Sequence, residues 1–419
     1  MKYSCYSCKR KLLANSIAMA FSLAVPVIVV AETGNADMQA QIDTLQSQVT
    51  ALSSEVQQAA EWKNPNTLIH MAGYADVGFM KREGEDSSFV VGTFSPIFHF
   101  QYRDVVMMEA ELEFEVDDDG ETEVAVEYLT IDWFMGDYAT LVAGKFLSPI
   151  GQFRQNLHPS WINKLATAPP GFGHDGAAPV SDVGLQVRGG FPLGSMRANY
   201  AVYASNGPEI NSEAEDDGAG GVEGYELDGV AAEGFGADRD GEKTYGGRFA
   251  LLPIPSVEIG LSVATGKATV TNVEGDEDAL TSPPLGPIAG ETPRDYDVMG
   301  ADFVWFTGNM SLRGEYVKTE IGKSATDVTA SDGAEWTTWY TQAAYRLPDT
   351  KWEGVLRYTD YDSPHDSVDQ QQTALGINYL VANNFIVKLT HEFNDGKTVD
   401  GEKSAADADL TVLQLAYGF

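Results

Sequence analysis

The last ten residues read LTVLQLAYGF (410–419). Counting back by twos, Phe419, Tyr417, Leu415, Leu413 and Thr411 share one face, and Gly418, Ala416, Gln414, Val412 and Leu410 share the other. This is the period of a β-strand with one apolar, aromatic-tipped face and one small, mixed face. The stretch EAELEFEV (109–116) repeats the alternation with charge. Glu109, Glu111, Glu113 and Glu115 fall on one side, Ala110, Leu112, Phe114 and Val116 on the other. Four carboxylates in a row cannot line a dry core, so one face requires water while the opposite face requires oil. DDDG (117–120) reads as a turn, and ETEVAVEY (121–128) resumes the pattern, with Val124, Val126 and Tyr128 opposite Glu123 and Glu127.

From there to the C-terminus the connections alternate in length. MGDY (135–138), FPLGS (191–195), PIPS (253–256), FTGN (306–309), LPDT (347–350) and VANN (381–384) are short. Between them lie long polar segments at 148–182, 207–244 and 273–295, with three more around Ser324, Asp362 and Asp400. Tight turns on one side and long loops on the other, joined by alternating strands, are the pattern of a transmembrane β-barrel. From Leu68 onward sixteen candidate strands can be counted. The expected fold is all-β: a 16-stranded antiparallel transmembrane β-barrel. An even number puts both barrel termini on one side, and closure removes the edge that a long apolar strand would expose.

The N-terminal part reads differently. Lys2, Lys9, Arg10 and Lys11 precede the apolar run LLANSIAMAFSLAVPVIVV, and VVA ends at Ala31, so residues 1–31 are expected to be a signal peptide. Both cysteines, Cys5 and Cys8, lie in it. The next segment, 32–62, carries Met38, Ile42, Leu45, Val49, Leu52, Val56 and Ala59 at alternating spacings of four and three, with no Gly or Pro from Asp37 to Glu61. This heptad seam predicts a short N-terminal coiled-coil helix, a periplasmic stalk in which Ile42, Leu45, Val49, Leu52 and Val56 hold copies of the chain together. The barrel is expected over 63–419.

The net charge is -35, and removing the four basic residues of the signal takes it to -39. Such acidity excludes nonspecific nucleic-acid binding. It fits attraction of cations, divalent-ion contacts or a surface adapted to salt, and composition alone does not separate these. No stretch after residue 31 is apolar enough to span a bilayer as a helix.

LVAGKFLSPIGQF (141–153), APVSDVGLQVRGGF (178–191) and TALGINYLVANNFIVKLTHEF (373–393) resemble segments of the phosphate-selective porin O and P family. The stalk resembles the N-terminal coiled coil of trimeric members of that broader group. The resemblance implies a sixteen-stranded barrel, a homotrimer and a long loop folded into the lumen to narrow it. The candidate for that loop is 148–182, which carries Arg154, His158, Trp161, Lys164 and His174. The terminal Phe419 resembles the signal that the barrel-assembly machinery recognises. The expected partners are therefore that machinery, outer-membrane lipid and lipopolysaccharide, and two further copies of the chain.

Placing the apolar parity against lipid assigns the pore lining, because a charge at mid-membrane on the lipid face costs about 2–4 kcal/mol. Arg188, Arg197, Arg248, Arg313, Arg357 and Lys388 then point inward, a basic track joined by Arg154 and Lys164 from the loop. Glu109, Glu111, Glu113, Glu115, Glu123 and Glu127 form a facing acidic wall. The two sets either set up a transverse field or neutralise each other as ion pairs in the lumen. The acidic wall and outer loops would repel phosphate, so no phosphate site of the family is transferred to any residue here.

An enzyme would require a catalytic set that the sequence does not display. None of the six histidines has metal-ligand spacing with another, and no GxSxG motif occurs. DRDGE (238–242) and NDGKTVDGE (394–402) lack the full twelve-residue calcium pattern. No catalytic residue, metal or cofactor is expected. The functional expectation is a bacterial outer-membrane porin for passive diffusion of small hydrophilic or charged solutes, with stalk and C-terminus on the periplasmic side. The alternatives are an outer-membrane tether or adhesin without an open channel, or a barrel enzyme.

Overall fold

In the computed structural model the described residues are 67–116, 120–174, 176–216, 222–234, 237–274, 290–324, 330–365, 368–399 and 402–419. The signal peptide and the coiled-coil stalk, with Ile42, Leu45, Val49, Leu52 and Val56, lie outside them.

Alternation becomes a closed sheet. In chain order, β1 (Thr67–Arg82), β2 (Ser88–Tyr102), β3 (Val106–Val116), β4 (Thr122–Phe134), β5 (Thr140–Leu147), β6 (Ser181–Leu193) and β7 (Met196–Ser205) form the first part of the barrel. After β7 come β8 (Glu209–Asp216) and β9 (Val222–Ala231), an antiparallel hairpin joined in parallel by β12 (Val270–Glu274) into a separate three-stranded sheet. The barrel continues with β10 (Thr244–Ile254), β11 (Val257–Ala268), β13 (Arg294–Thr307), β14 (Met310–Ile321), β15 (Ala334–Arg346), β16 (Trp352–Asp362), β17 (Gln370–Ala382) and β18 (Phe385–Gly396). A two-stranded ribbon, β19 (Thr398–Val399) with β20 (Glu402–Lys403), precedes the last barrel strand, β21 (Leu410–Gly418).

β21 pairs with β18 on one side and β1 on the other, which closes sixteen antiparallel strands into a ring. The alternation of residues 410–419 appears directly: Val412, Gln414, Ala416 and Gly418 are buried, while Leu413, Leu415, Tyr417 and Phe419 are exposed on the outer face. Phe419 is part of the seal. Its N–H donates to Gly73 O at 2.9 Å, and Gly73 N–H donates back to Phe419 O at 3.1 Å. Gly73 has φ +156, and a Cβ there would lie 2.7 Å from the Phe419 ring, so the close approach requires glycine. Phe94 stacks on the Phe419 ring at 6.1 Å between centroids, and Tyr417 lies at 6.2 Å.

One register slip departs from the sequence pattern. Glu111 faces Tyr128, but Leu112 faces Val126, leaving Glu127 as an extra residue on β4. Such a bulge exchanges the faces beyond it. Tyr128, expected outward with Val124 and Val126, therefore pairs with Glu111 and shares the inner face of Thr130 and Asp132, while Leu129, Ile131 and Trp133 are exposed. A strict count of twos cannot detect an inserted residue.

The connections on one rim are short, and the chain enters β1 and leaves β21 at that rim. The segment between β5 and β6, residues 148–180, turns inside the barrel. It ends at Val180, since Ser181 and Asp182 pair with Leu147 and Phe146 as part of β6. Its Ile150, Phe153 and Phe172 are buried against inward-facing Val142, Phe146, Val298, Val317 and Tyr340. The Phe172 and Tyr340 rings meet edge to face at 5.1 Å. An apolar core thus sits within the lumen, against the β13–β15 side, and fixes where the loop lies.

Candidate functional site: the lumen and its inner loop

The inner faces of the strands carry charge because the outer faces must not. On β3 and β4 the carboxylates form a ladder. Glu109 pairs with His99 (3.0 Å) and lies 3.7 Å from Arg188. Glu111 is buried, accepts a hydrogen bond from Tyr74 Oη at 2.8 Å and lies 3.7 Å from His158 of the loop. Glu127 is buried, with Arg154 Nη1 at 3.8 Å. Farther along, Glu113 is half-buried, and Glu115 and Glu123 are exposed directly across from each other. Like charges in that position are tolerable only in water. Asp76 of β1 joins this side and accepts from Gln414 Nε2 at 2.9 Å.

The basic residues lie inward too, but the structure gives them partners. Arg188 Nη2 donates to Asp132 at 2.6 Å. Arg248 forms a two-pronged contact with Asp302 (2.8 and 2.6 Å) and a further bond to Glu258 at 2.9 Å. Such fork-to-carboxylate geometry is the strong form of the interaction. Lys164 of the loop reaches Glu353 at 2.5 Å. Arg313 is half-buried on the inner face of β14 opposite Gln342, and Arg197 is exposed near the short-turn rim on β7. The arrangement is ion pairing between nearby strands along the wall, and between the loop and the wall. Asp132, Glu258, Asp302, Glu353 and Glu392, which complete these pairs, were not assigned from the sequence. Glu258 is the one acid of β11, and the others share their strands with scattered acids, so an acidic run like that of β3 does not mark them.

Arg357 and Lys388 show what the loop does. Both are fully buried. Arg357 donates to the carbonyls of Thr167 (3.0 Å) and Ala168 (3.1 Å), and to Gln372 at 2.8 Å, with Glu392 at 3.9 Å. Lys388 donates to the carbonyls of Leu165 (3.1 Å) and Ser160, and to Gln414 at 2.8 Å. The backbone of residues 160–168 thus lies over these two cations and satisfies them. Other ties fix the loop to the wall: Phe153 N–H donates to Glu315 at 3.1 Å, Gln152 to Asp302 at 2.8 Å, and Thr338 to Pro170 O at 2.7 Å.

Open volume remains along the glutamate ladder. A cavity of about 390 Å³ is lined by Glu109, Glu111, Tyr128, Thr130, His158 and Arg188 among others. A second, of about 300 Å³, is lined by Asp76, Glu113, Glu115, Glu127, Arg154 and His174 among others. His158 borders both.

Two groups combine donors from different elements. Glu113, Glu127 and His174 bring ligand atoms within 4.8 Å of one another, as do Glu213, Asp228 and His365 in the outer sheet and its neighbouring loop. Sequence spacing cannot reveal such sets. At the first, His174 Nδ1 lies 3.2 Å from Glu233. Hydrogen bonding to Glu233 raises the imidazole above its usual range, and the same bond holds the Glu233 carboxyl below its own.

Comparison with known proteins bears out the resemblance over the C-terminal part of the chain: residues 270–419 match the family model for phosphate-selective porin O and P. The barrel is similar to the anion-selective porin from Comamonas acidovorans, with TM-score 0.55 and 15% identity over 84% of this chain and 100% of that one. It is also similar to OmpF of Salmonella typhi, solved in complex with daunomycin (0.53, 14%, 85% and 99%), and to the outer-membrane channel DcaP of Acinetobacter baumannii (0.52, 10%, 85% and 99%). At these identities the likeness is one of fold. Comparison with curated protein sequences gives no match.

Proposed function

We propose that this chain is a bacterial outer-membrane porin, a water-filled channel for passive diffusion of small hydrophilic or charged solutes. The observation that supports it most strongly is the division of faces. An apolar outer surface surrounds a lumen whose charged side chains are held by the wall and by the inner loop, with open cavities beside them. An outer belt that includes Leu261, Val263, Ile259, Leu413 and Leu415 suits acyl chains, with lipopolysaccharide at the outer rim. The inner loop is the constriction, and Arg154, His158 and Lys164 are its charged or titratable contributions. The homotrimer, the periplasmic stalk and engagement of the assembly machinery by Phe419 complete the proposal, resting on the heptad seam, the family resemblance and the terminal aromatic.

The test is electrical. The purified mature chain, inserted into a planar bilayer, should give stepwise openings in groups of three. A folded, heat-modifiable barrel that inserts without conductance overturns the channel.

A further inference from the structure

Taking the channel as given, we infer that its preference is for cations, because the inner loop caps Arg357 and Lys388 and leaves Glu109, Glu113, Glu115 and Glu123 facing the open space. Sequence parity supplies inward charges of both signs, and their sum says little about what a passing ion meets. What matters is which of them remain in contact with water in the passage. Arg357 and Lys388 are removed from it entirely, capped by the loop carbonyls of Ser160, Leu165, Thr167 and Ala168. Arg248 is buried between Asp302 and Glu258. The wall around Arg357 and Lys388 is therefore occupied by protein, held there by the apolar core of Ile150, Phe153 and Phe172, while a cavity of about 440 Å³ stays open beside Arg188, Arg248 and Glu258.

The opposite side is covered only in part: Glu111 and Glu127 are buried beside His158 and Arg154 of the loop, while Glu109, Glu113, Glu115 and Glu123 are not buried. The two cavities along β3 are lined by six carboxylates, Asp76, Glu109, Glu111, Glu113, Glu115 and Glu127, against two guanidiniums, Arg154 and Arg188. Arg154 is buried beside Glu127, and Arg188, though exposed, is matched by Asp132 at 2.6 Å and Glu109 at 3.7 Å. Glu115 and Glu123 stay exposed beyond them. The aqueous path is thus acid-rich along the ladder; among the inward arginines, Arg188, paired with Asp132 and Glu109, and Arg197 near the short-turn rim are exposed. A mobile cation crossing there is attracted by the carboxylates in excess over the two paired guanidiniums, whereas an anion is repelled by them.

The measurement is the reversal potential of the wild-type channel across a potassium chloride gradient, followed by a Glu113→Gln, Glu115→Gln, Glu123→Gln triple variant. Glu115 and Glu123 are exposed and Glu113 is half-buried, and Gln keeps the shape of Glu at each. The expected result is a several-fold preference for potassium over chloride that falls markedly in the variant. A reversal potential of anionic sign, or a cationic one that the triple variant leaves unchanged, overturns the inference while leaving a working channel. Absence of any conductance instead overturns the porin reading on which it rests.

Discussion

The β3–β4 wall and the β16–β18 wall are built by the same rule and end in opposite states. Both alternate apolar residues toward lipid with charged residues toward the lumen. On β3 and β4 the glutamates border open volume. On β16 and β18 Arg357 and Lys388 are fully buried under loop backbone. The difference lies in a segment far away in sequence. Residues 148–180 carry their apolar side chains against the β13–β15 side, and their carbonyls then fall over the nearest cations. A carbonyl row is a good partner for a guanidinium or ammonium and a poor one for a carboxylate, so the loop could not have settled equally well on the glutamates.

The strongest way to break this contrast is to remove the cover. Leu147 and Ser181 are already paired, so residues 149–179 can be replaced by a short glycine-rich turn between them. We expect conductance to rise several-fold and the reversal potential to move toward anions as Arg357 and Lys388 meet water. A loop-less channel with unchanged selectivity would mean that the loop does not set it.

A narrower break is Arg357→Met. It leaves Glu392 and the Thr167 and Ala168 carbonyls without their cation inside a buried site, which costs about 3–5 kcal/mol. Thermal unfolding in detergent should show a clearly lowered transition. An unchanged transition would show that the loop is held by its apolar core alone.

The bulge can be tested on the other wall. Leu129→Lys places a charge on the lipid face at a cost of about 2–4 kcal/mol, whereas Tyr128→Lys points into the lumen and should fold normally. Strict alternation from Val126 predicts the reverse, so urea unfolding of the two variants in lipid vesicles separates the registers.

The smallest effect concerns the loop tip. His174 is raised by its bond to Glu233, so its contribution is complete below the ordinary histidine value and is lost as pH rises through the raised one. Glu233 is lowered by the same bond, so its contribution holds above the ordinary glutamate value and is lost as pH falls through the lowered one. The contact is therefore strongest in the acidic window between them and weakens toward alkaline pH. NMR titration should give His174 an elevated midpoint that relaxes toward that of free histidine in Glu233→Gln.

Much of this was legible early. Sixteen strands, the long–short alternation and the inward set Arg188, Arg248, Arg357 and Lys388 follow from counting by twos, since lipid rejects charge whatever the tertiary detail. Tyr128 was misplaced because a bulge adds a residue without leaving a compositional mark. The inward aromatics Trp336 and Tyr340 were hidden because Trp339 of the same strand faces out, so neither parity looked apolar. The acidic wall lies outside residues 270–419, the part that matches the family, so family likeness could not say what lines that side.

By itself, the sequence determined that the chain is a barrel and, away from the β4 bulge, which charged residues of the strands point inward, because the two solvents on either side of the sheet act at a period of two. It could not determine which inward charges remain in water. That depends on where one buried segment finds its apolar partners and which carbonyls it leaves over the wall, and only the tertiary structure brings residues 160–168 onto Arg357 and Lys388.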